Sequence, residues 1–138
     1  MPTIVPFTTS EIEAALALWR VTDHLGLTPE DEPVALDNFL ARNPGLSYVA
    51  VDDGRVVGTV LCGHDGRRGY IHHIAVAAAY RRRSLASELL DRALAKLQSN
   101  GIAKCHALVF RDNPYGELFW SRKGWEFRED IWVYSKRV

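Results

Sequence analysis

Apolar positions along this chain switch between two periods, and the switches mark its elements. Thr3 to Phe7 reads as a short strand. Ile12, Ala15, Leu16 and Trp19 then recur at helical spacing. Ser10 followed by Glu13 suits a capping box, so the pattern predicts a helix from there to about Val21. Thr22 to Pro33 is a polar loop carrying Asp23, Glu30, Asp31 and Glu32. A second helix is expected over Val34–Arg42, stopping before Pro44. Ser47–Val51 and Val56–Cys62 read as strands around the turn Asp52-Asp53-Gly54-Arg55. A loop from His64 to Gly69 leads into a strand over Tyr70–Val76. Leu85, Leu89, Leu90, Ala93, Leu94 and Leu97 give Ser84–Ser99 a strong amphipathic helix, closed by Asn100-Gly101. Ile102–Phe110 reads as a strand, Pro114–Lys123 as a short helix ended by Gly124, and Trp125–Val138 as one or two strands.

Strand, helix and strand in succession across 70–110 make a parallel pair with a right-handed crossover. The hairpin before it is antiparallel. The expected fold is therefore α/β: a mixed, mostly antiparallel sheet with a central parallel strand–helix–strand unit and helices on both faces. With 138 residues, no repeat and no linker, residues 1–138 are expected to form one domain. A hydrophobic share of 47% supports a real core.

Charge narrows the partners. Lys+Arg and Asp+Glu both number 17, so no global field favours nucleic acid or membrane. No apolar run approaches the span of about 20 residues that crosses a bilayer. The start, Met1-Pro2-Thr3-Ile4-Val5-Pro6, does not read as a signal peptide, and Cys62 and Cys105 make no disulfide framework. A cytoplasmic protein with free thiols is expected. Basic residues do concentrate at Arg81-Arg82-Arg83, between a strand and a helix that begins with small residues. Amides at a helix N-terminus backed by arginines suit a phosphate-bearing ligand.

These residues resemble the GNAT N-acetyltransferase superfamily. Its signature is Arg or Gln, two free positions, Gly, one free position, then Gly or Ala; Arg81, Ser84 and Ala86 stand there. Ile74-Ala75-Val76 before it, Leu89-Leu90 behind it, and Asn113, Gly116, Phe119-Trp120 and Lys123-Gly124-Trp125 further on also resemble the family, from about Thr3 to Trp132. The resemblance implies a GNAT-like fold, acetyl-CoA as cofactor and direct acetyl transfer to a primary amine, on a small molecule or a peptide. It implies that the backbone of Ile74, Ala75 and Val76 holds the pantetheine. Arg81, Arg82, Arg83, Ser84, Leu85, Ala86 and Ser87 would cradle the pyrophosphate, and Asn113 would contact the pantetheine or cysteamine region. Glycine is usual in the family where this chain has Arg82 and Ser84; glycine accepts positive φ and close approach. Trp120 stands where the family often has a tyrosine that protonates the departing thiolate. Indole donates a hydrogen bond but is no acid, which leaves Tyr115 or Tyr134 for that task. These departures keep a second reading open, an acyl-CoA-binding regulatory module with weak or no catalysis. Family members are often dimers, so a homodimer is among the expected partners.

An ammonium acceptor must lose a proton before it attacks. His72 and His73 lie on the strand expected to flank the acetyl group, and alternation sends them to opposite faces. His72, sharing a face with Tyr70 and Ile74, is the favoured base or holder of a relay water, with Tyr70 at the same level. Cys62, His64, His72, His73, Cys105 and His106 also raise zinc, with Cys62 placed across from His72. They scatter over three strands without a Cys-x-x-Cys pair, so no metal is expected. Trp19, Asp23 and the Glu30–Glu32 loop form a possible cation site for the acceptor.

Overall fold

The structure is a computed structural model that describes residues 1–138. Contacts divide the chain into two compact units, Met1–Leu108 and Val109–Val138. The first unit holds a five-stranded sheet in the order β1 (Thr3–Pro6), β2 (Tyr48–Asp52), β3 (Arg55–His64), β4 (Gly69–Val76) and β5 (Cys105–Ala107). Only β4 and β5 are parallel. Three helices cover it: α1 (Ile12–Arg20), α2 (Pro33–Arg42) and α3 (Leu85–Ser99). This is the mixed sheet that the two periods predict.

Adjacent residues of β3 show how the layers form. A side chain at Gly58 would point at Leu85 and Leu89 of α3. Thr59, next along, faces the other way and meets Trp19 of α1. On the α3 side, Leu89, Leu90, Ala93 and Leu97 are all buried, as their spacing demands. On the other side, Phe7, Leu16, Trp19, Leu36, Leu61 and Ala75 form a second buried cluster under α1 and α2. Each fully buried large apolar side chain contributes roughly 1.5–3 kcal/mol. Gly63 lets α2 sit close, since a Cβ there would lie 2.7 Å from the ring of Phe39 and 2.8 Å from Asn43.

Three boundaries differ from the sequence expectation for local reasons. The capping pair is Thr8 with Glu11 rather than Ser10 with Glu13: the Glu11 carboxylate accepts from the Thr8 amide at 2.8 Å and its hydroxyl at 2.9 Å. A short 3₁₀ turn, Thr9–Glu11, therefore precedes α1. Ile102 does not open β5, because its amide is used to close α3 on the Leu97 carbonyl after Gly101 turns at φ +81°. Pairing begins only where Gly69 donates to Lys104. In the second unit, α4 (Pro114–Arg122) is followed by no strand. Arg128 clasps Asp130 through two bonds of 2.8 and 2.9 Å, where the chain bends at Glu129–Asp130. Strand propensity in Trp125–Val138 meets no ladder partner, and propensity alone does not make a strand.

The decisive irregularity lies in β4. Its register with β3 runs Cys62↔Ile71, Leu61↔His72, then Thr59↔Ala75. Two residues of β4, His73 and Ile74, thus oppose the single Val60, which is a β-bulge. His73 takes the extra turn at φ +39°. The bulge overturns the expected alternation. His72 meets Phe39 of α2 at 6.0 Å between ring centroids, and His73 meets Trp19 of α1 at 4.8 Å. Both imidazoles therefore face the α1–α2 layer. Cys62 lies opposite Ile71, not His72, so its thiol belongs to the α3 side.

One hydroxyl pins the bulge. Thr59 Oγ1 accepts from the Trp19 indole at 2.9 Å and donates to the His73 carbonyl at 2.8 Å. Thr59 is fully buried. Replacing it with the isosteric valine, Thr59→Val, leaves two buried polar groups without partners and should cost about 1–3 kcal/mol, read from denaturant unfolding. A second expectation concerns pH. Burial, with a smaller push from His73, holds the His72 imidazole below its ordinary value of 6.5. The unfolded chain then binds that proton more readily than the native one, so stability is full above about pH 6.5 and falls as pH drops through the lowered native value. His72→Phe should blunt this acid loss in unfolding curves recorded from pH 7 downward.

Candidate active site

The parallel pair is short, because β5 has only three residues. β4 and β5 are matched at Gly69↔Cys105, Tyr70↔His106 and Ile71↔Ala107, and the ladder stops there. From His72 to Val76, β4 is paired only with β3. Its other edge presents backbone groups without a strand to satisfy them, a place for an extended ligand to add to the sheet. Ile74, Ala75 and Val76 lie on this stretch.

Beyond Val76 the chain forms a 3₁₀ turn, Ala78–Tyr80, and reaches α3 through Arg81–Ser84. Arg82 stands at φ +63° and Ser84 at φ +61°. These are the two positions where glycine was expected, and both adopt the left-handed backbone that glycine favours. Ser84 occupies the N-cap of α3 without a side-chain cap bond, and its carbonyl accepts from the Glu88 amide at 3.0 Å. Leu85, Ala86 and Ser87 form the first helical turn, where amides have no acceptor within the helix ladder.

Two of the three arginines are held from below. Arg81 Nε donates to the Val76 carbonyl at 3.1 Å. Arg83 lies over the ring of Tyr80, 5.3 Å from its centroid. The Tyr80 hydroxyl in turn donates to Asp52 Oδ2 at 2.6 Å, which lowers the carboxyl's pKa and raises the phenol's. The turn is thereby tied to the end of β2. Arg82 is exposed.

The α1–α2 face holds an arrangement that strand alternation conceals. His73 Nε2 lies 2.7 Å from Asp31 Oδ1. Asp31 is buried at 7% exposure, at the end of the 3₁₀ turn Pro29–Asp31. Its other oxygen accepts from the Thr28 amide at 3.0 Å and hydroxyl at 3.3 Å. A carboxylate accepts and does not donate, so Nε2 supplies the proton of this bond, which fixes the ring's orientation.

His72 sits one residue away, between Phe39 and Tyr70, with ring centroids 6.0 and 6.5 Å away. It has no carboxylate partner of its own. Sequence reasoning missed the joining of His73 to Asp31. The Thr28-Pro29-Glu30-Asp31 capping pattern was a readable signal for the turn, but 42 residues separate the pair. Of the expected cation site, Trp19 packs against the His73 ring at 4.8 Å and Asp31 pairs with it.

Burial pushes the thiol of Cys62 up to about 12 and that of Cys105 to about 11, so both are poor nucleophiles. In the second unit, Asn113 caps α4: its Oδ1 accepts from the Gly116 amide at 3.0 Å. Tyr115 is exposed in the first turn of α4, and Tyr134 is exposed beyond it. Trp120 packs edge-on against Phe119 at 5.2 Å and Trp125 at 4.5 Å.

Known proteins share both the sequence and this architecture. The sequence profile of the Acetyltransferase (GNAT) family matches residues 13–125. An acetyltransferase of Pectobacterium atrosepticum is 34% identical over 108 residues, covering 78% of this chain and 75% of the relative. One from Photorhabdus laumondii is 32% identical over 135 residues, covering 96% and 92%. Among solved structures, the PaiA N-acetyltransferase from Thermoplasma acidophilum, crystallised with coenzyme A, superposes with a TM-score of 0.82 at 16% identity, over 95% of this chain and 93% of that one. The short parallel pair, the left-handed turn before α3 and a family match over most of the chain lead to one conclusion: the protein belongs to the GNAT acetyltransferase family.

Proposed function

We propose that the protein is an acetyl-CoA-dependent N-acetyltransferase acting on a primary amine by direct attack, with His73 as the general base. The observation that carries this is the Asp31–His73 pair, set on the bulge beside the unpaired edge of β4. The relative crystallised with coenzyme A supports the donor. The residues here fit such a ligand. Arg82 and Arg83 supply charge to a diphosphate, and the left-handed backbone at Arg82 and Ser84 shapes the turn that precedes the α3 amides. An exposed anion at a helix N-terminus gains roughly 0.3–1 kcal/mol, so the arginines carry much of the affinity. The free edge at Ile74–Val76 suits an amide-bearing arm.

When bound, acetyl-CoA supplies a thioester-activated acetyl group and a thiol leaving group. His73 Nδ1 takes the proton of the acceptor ammonium, and Asp31 stabilises the imidazolium that results. His73 thus fills the role the sequence suggested for His72, because only His73 has the carboxylate that fixes its tautomer. Asn113 keeps its amide N–H₂ for the pantetheine region while its oxygen caps α4. Solvent returns a proton to the leaving thiolate, whose free pKa is about 8.5. The family match runs through both compact units, which supports one catalytic domain. Free thiols at Cys62 and Cys105 support a reducing, cytoplasmic setting.

The test is thiol release from acetyl-CoA over a panel of primary amines, corrected for hydrolysis. His73→Gln and Asp31→Asn should each lower kcat about 10²-fold or more while the KM for acetyl-CoA changes little. Asp31→Asn can donate to Nε2, which reverses the tautomer. Unchanged kcat in both variants would remove the base. Tight acetyl-CoA binding with no turnover of any amine would favour the regulatory module. At the turn, Ser84→Gly relieves a left-handed side chain that costs about 1–2 kcal/mol, less the greater freedom of unfolded glycine. A net gain of about 0.5–1 kcal/mol in unfolding free energy is expected, with acetyl-CoA affinity retained.

A further inference from the structure

An acid sits beside the arginine turn, where an anion site would least want one. Asp52 ends β2 and brings its carboxylate to Tyr80, with Arg83 close enough to feel the charge. A negative charge there opposes any diphosphate drawn to the arginines. Its contacts show what offsets that repulsion. The Tyr80 hydroxyl donates to Asp52 Oδ2 at 2.6 Å, a short charge-assisted bond. The Arg83 guanidinium lies over the Tyr80 ring, 5.3 Å from its centroid. Tyr80 is thus fixed at its hydroxyl by β2 and supports an arginine on its face.

The fold has other anchors on either side of this brace. The end of β4 is secured where the Ala77 amide donates to the Val57 carbonyl at 2.8 Å. The start of α3 is secured by the buried Leu85. Between these anchors stands Arg83, flanked by Arg82 at φ +63° and Ser84 at φ +61°. Left-handed residues with side chains keep that conformation only where their surroundings hold it. Tyr80 is half-buried and Arg83 is exposed. Without the ring, the long Arg83 side chain regains its rotamer freedom in water. A cation resting on a ring is held in place without losing its charge.

We infer that Asp52 and Tyr80 are positioning residues for the cofactor: the carboxylate fixes the phenol, and the phenol's ring holds the Arg83 guanidinium ready for the diphosphate of acetyl-CoA. The inference rests on the reading of the arginine turn as the diphosphate site, and it names what gives that site its form. Neither residue touches the cofactor in this role. Both act through Arg83.

The experiment measures binding of CoA by calorimetry and of pantetheine, which lacks the diphosphate, by NMR titration of the full chain. Tyr80→Phe keeps the ring and loses the bond to Asp52, and it should weaken CoA roughly 3- to 10-fold. Tyr80→Leu loses both and should weaken CoA further, with pantetheine affinity unmoved in either variant. Asp52→Asn still accepts from the phenol without the charge, so it should bind CoA as well as the unaltered protein or better. Asp52→Ala should instead resemble Tyr80→Phe. With Arg83→Gln already in place, Tyr80→Leu should add little, as expected of residues that act as one unit. Equal losses of CoA and pantetheine would reveal a merely structural brace and overturn the positioning role. Unchanged CoA affinity in Tyr80→Leu, or tighter binding in Asp52→Ala, would overturn it too. CoA that fails to bind the unaltered protein removes the diphosphate site itself, a result distinct from a site that binds CoA but ignores Tyr80.

Discussion

A single buried hydroxyl organises this molecule. Thr59 receives the Trp19 indole proton and gives its own to the carbonyl of His73. That second bond holds β4 in its bulged path, because the extra residue has lost its place in the ladder with β3. The bulge then has two effects. It turns His73 onto the same face as His72, and it lets the carboxylate of Asp31 reach an imidazole. It also lies just beyond Ile71, where the ladder with β5 ends. Neighbouring atoms in this way set the placement of the Asp31–His73 pair beside the unpaired stretch of β4.

The second constraint is backbone conformation at the arginine turn. Each left-handed residue with a side chain costs about 1–2 kcal/mol, and this turn contains two. The surroundings hold them in place: Arg81 is tied to the Val76 carbonyl, and Tyr80 to Asp52 at the end of β2. Such strain persists where neighbouring structure fixes it and commonly accompanies binding sites. Arg82 takes the left-handed conformation that glycine favours and adds an exposed charge to the turn.

Much of this was legible in the residues. The repeat of Leu85, Leu89, Ala93 and Leu97 placed α3 within one residue, since a 15-residue helix with one buried face leaves little choice. The basic turn was readable as a run of three arginines, whereas its two left-handed positions were hinted at only by the family resemblance, which has glycine there. What failed was whatever depends on pairing between distant segments. Alternation along β4 assumes an unbroken ladder, and nothing in Ile71-His72-His73-Ile74 announces a bulge. Ile102 reads as strand because its side chain is β-branched, whereas the structure uses its amide to finish a helix. Asp31 looked like one acid among several in a loop; only the folded chain brings it to a histidine on another layer.

The loop between α1 and α2 acquires an unexpected importance from the divided use of Asp31. One oxygen winds the loop's own 3₁₀ turn on Thr28, and the other fixes the imidazole. Loops of this kind open more readily than the sheet beneath them. Whenever this one unwinds, the carboxylate leaves and the imidazole loses its orientation. Under the role proposed for His73, proton acceptance thus depends on an intact Thr28–Asp31 turn, although that turn lies on a different layer from the strand bearing the imidazole.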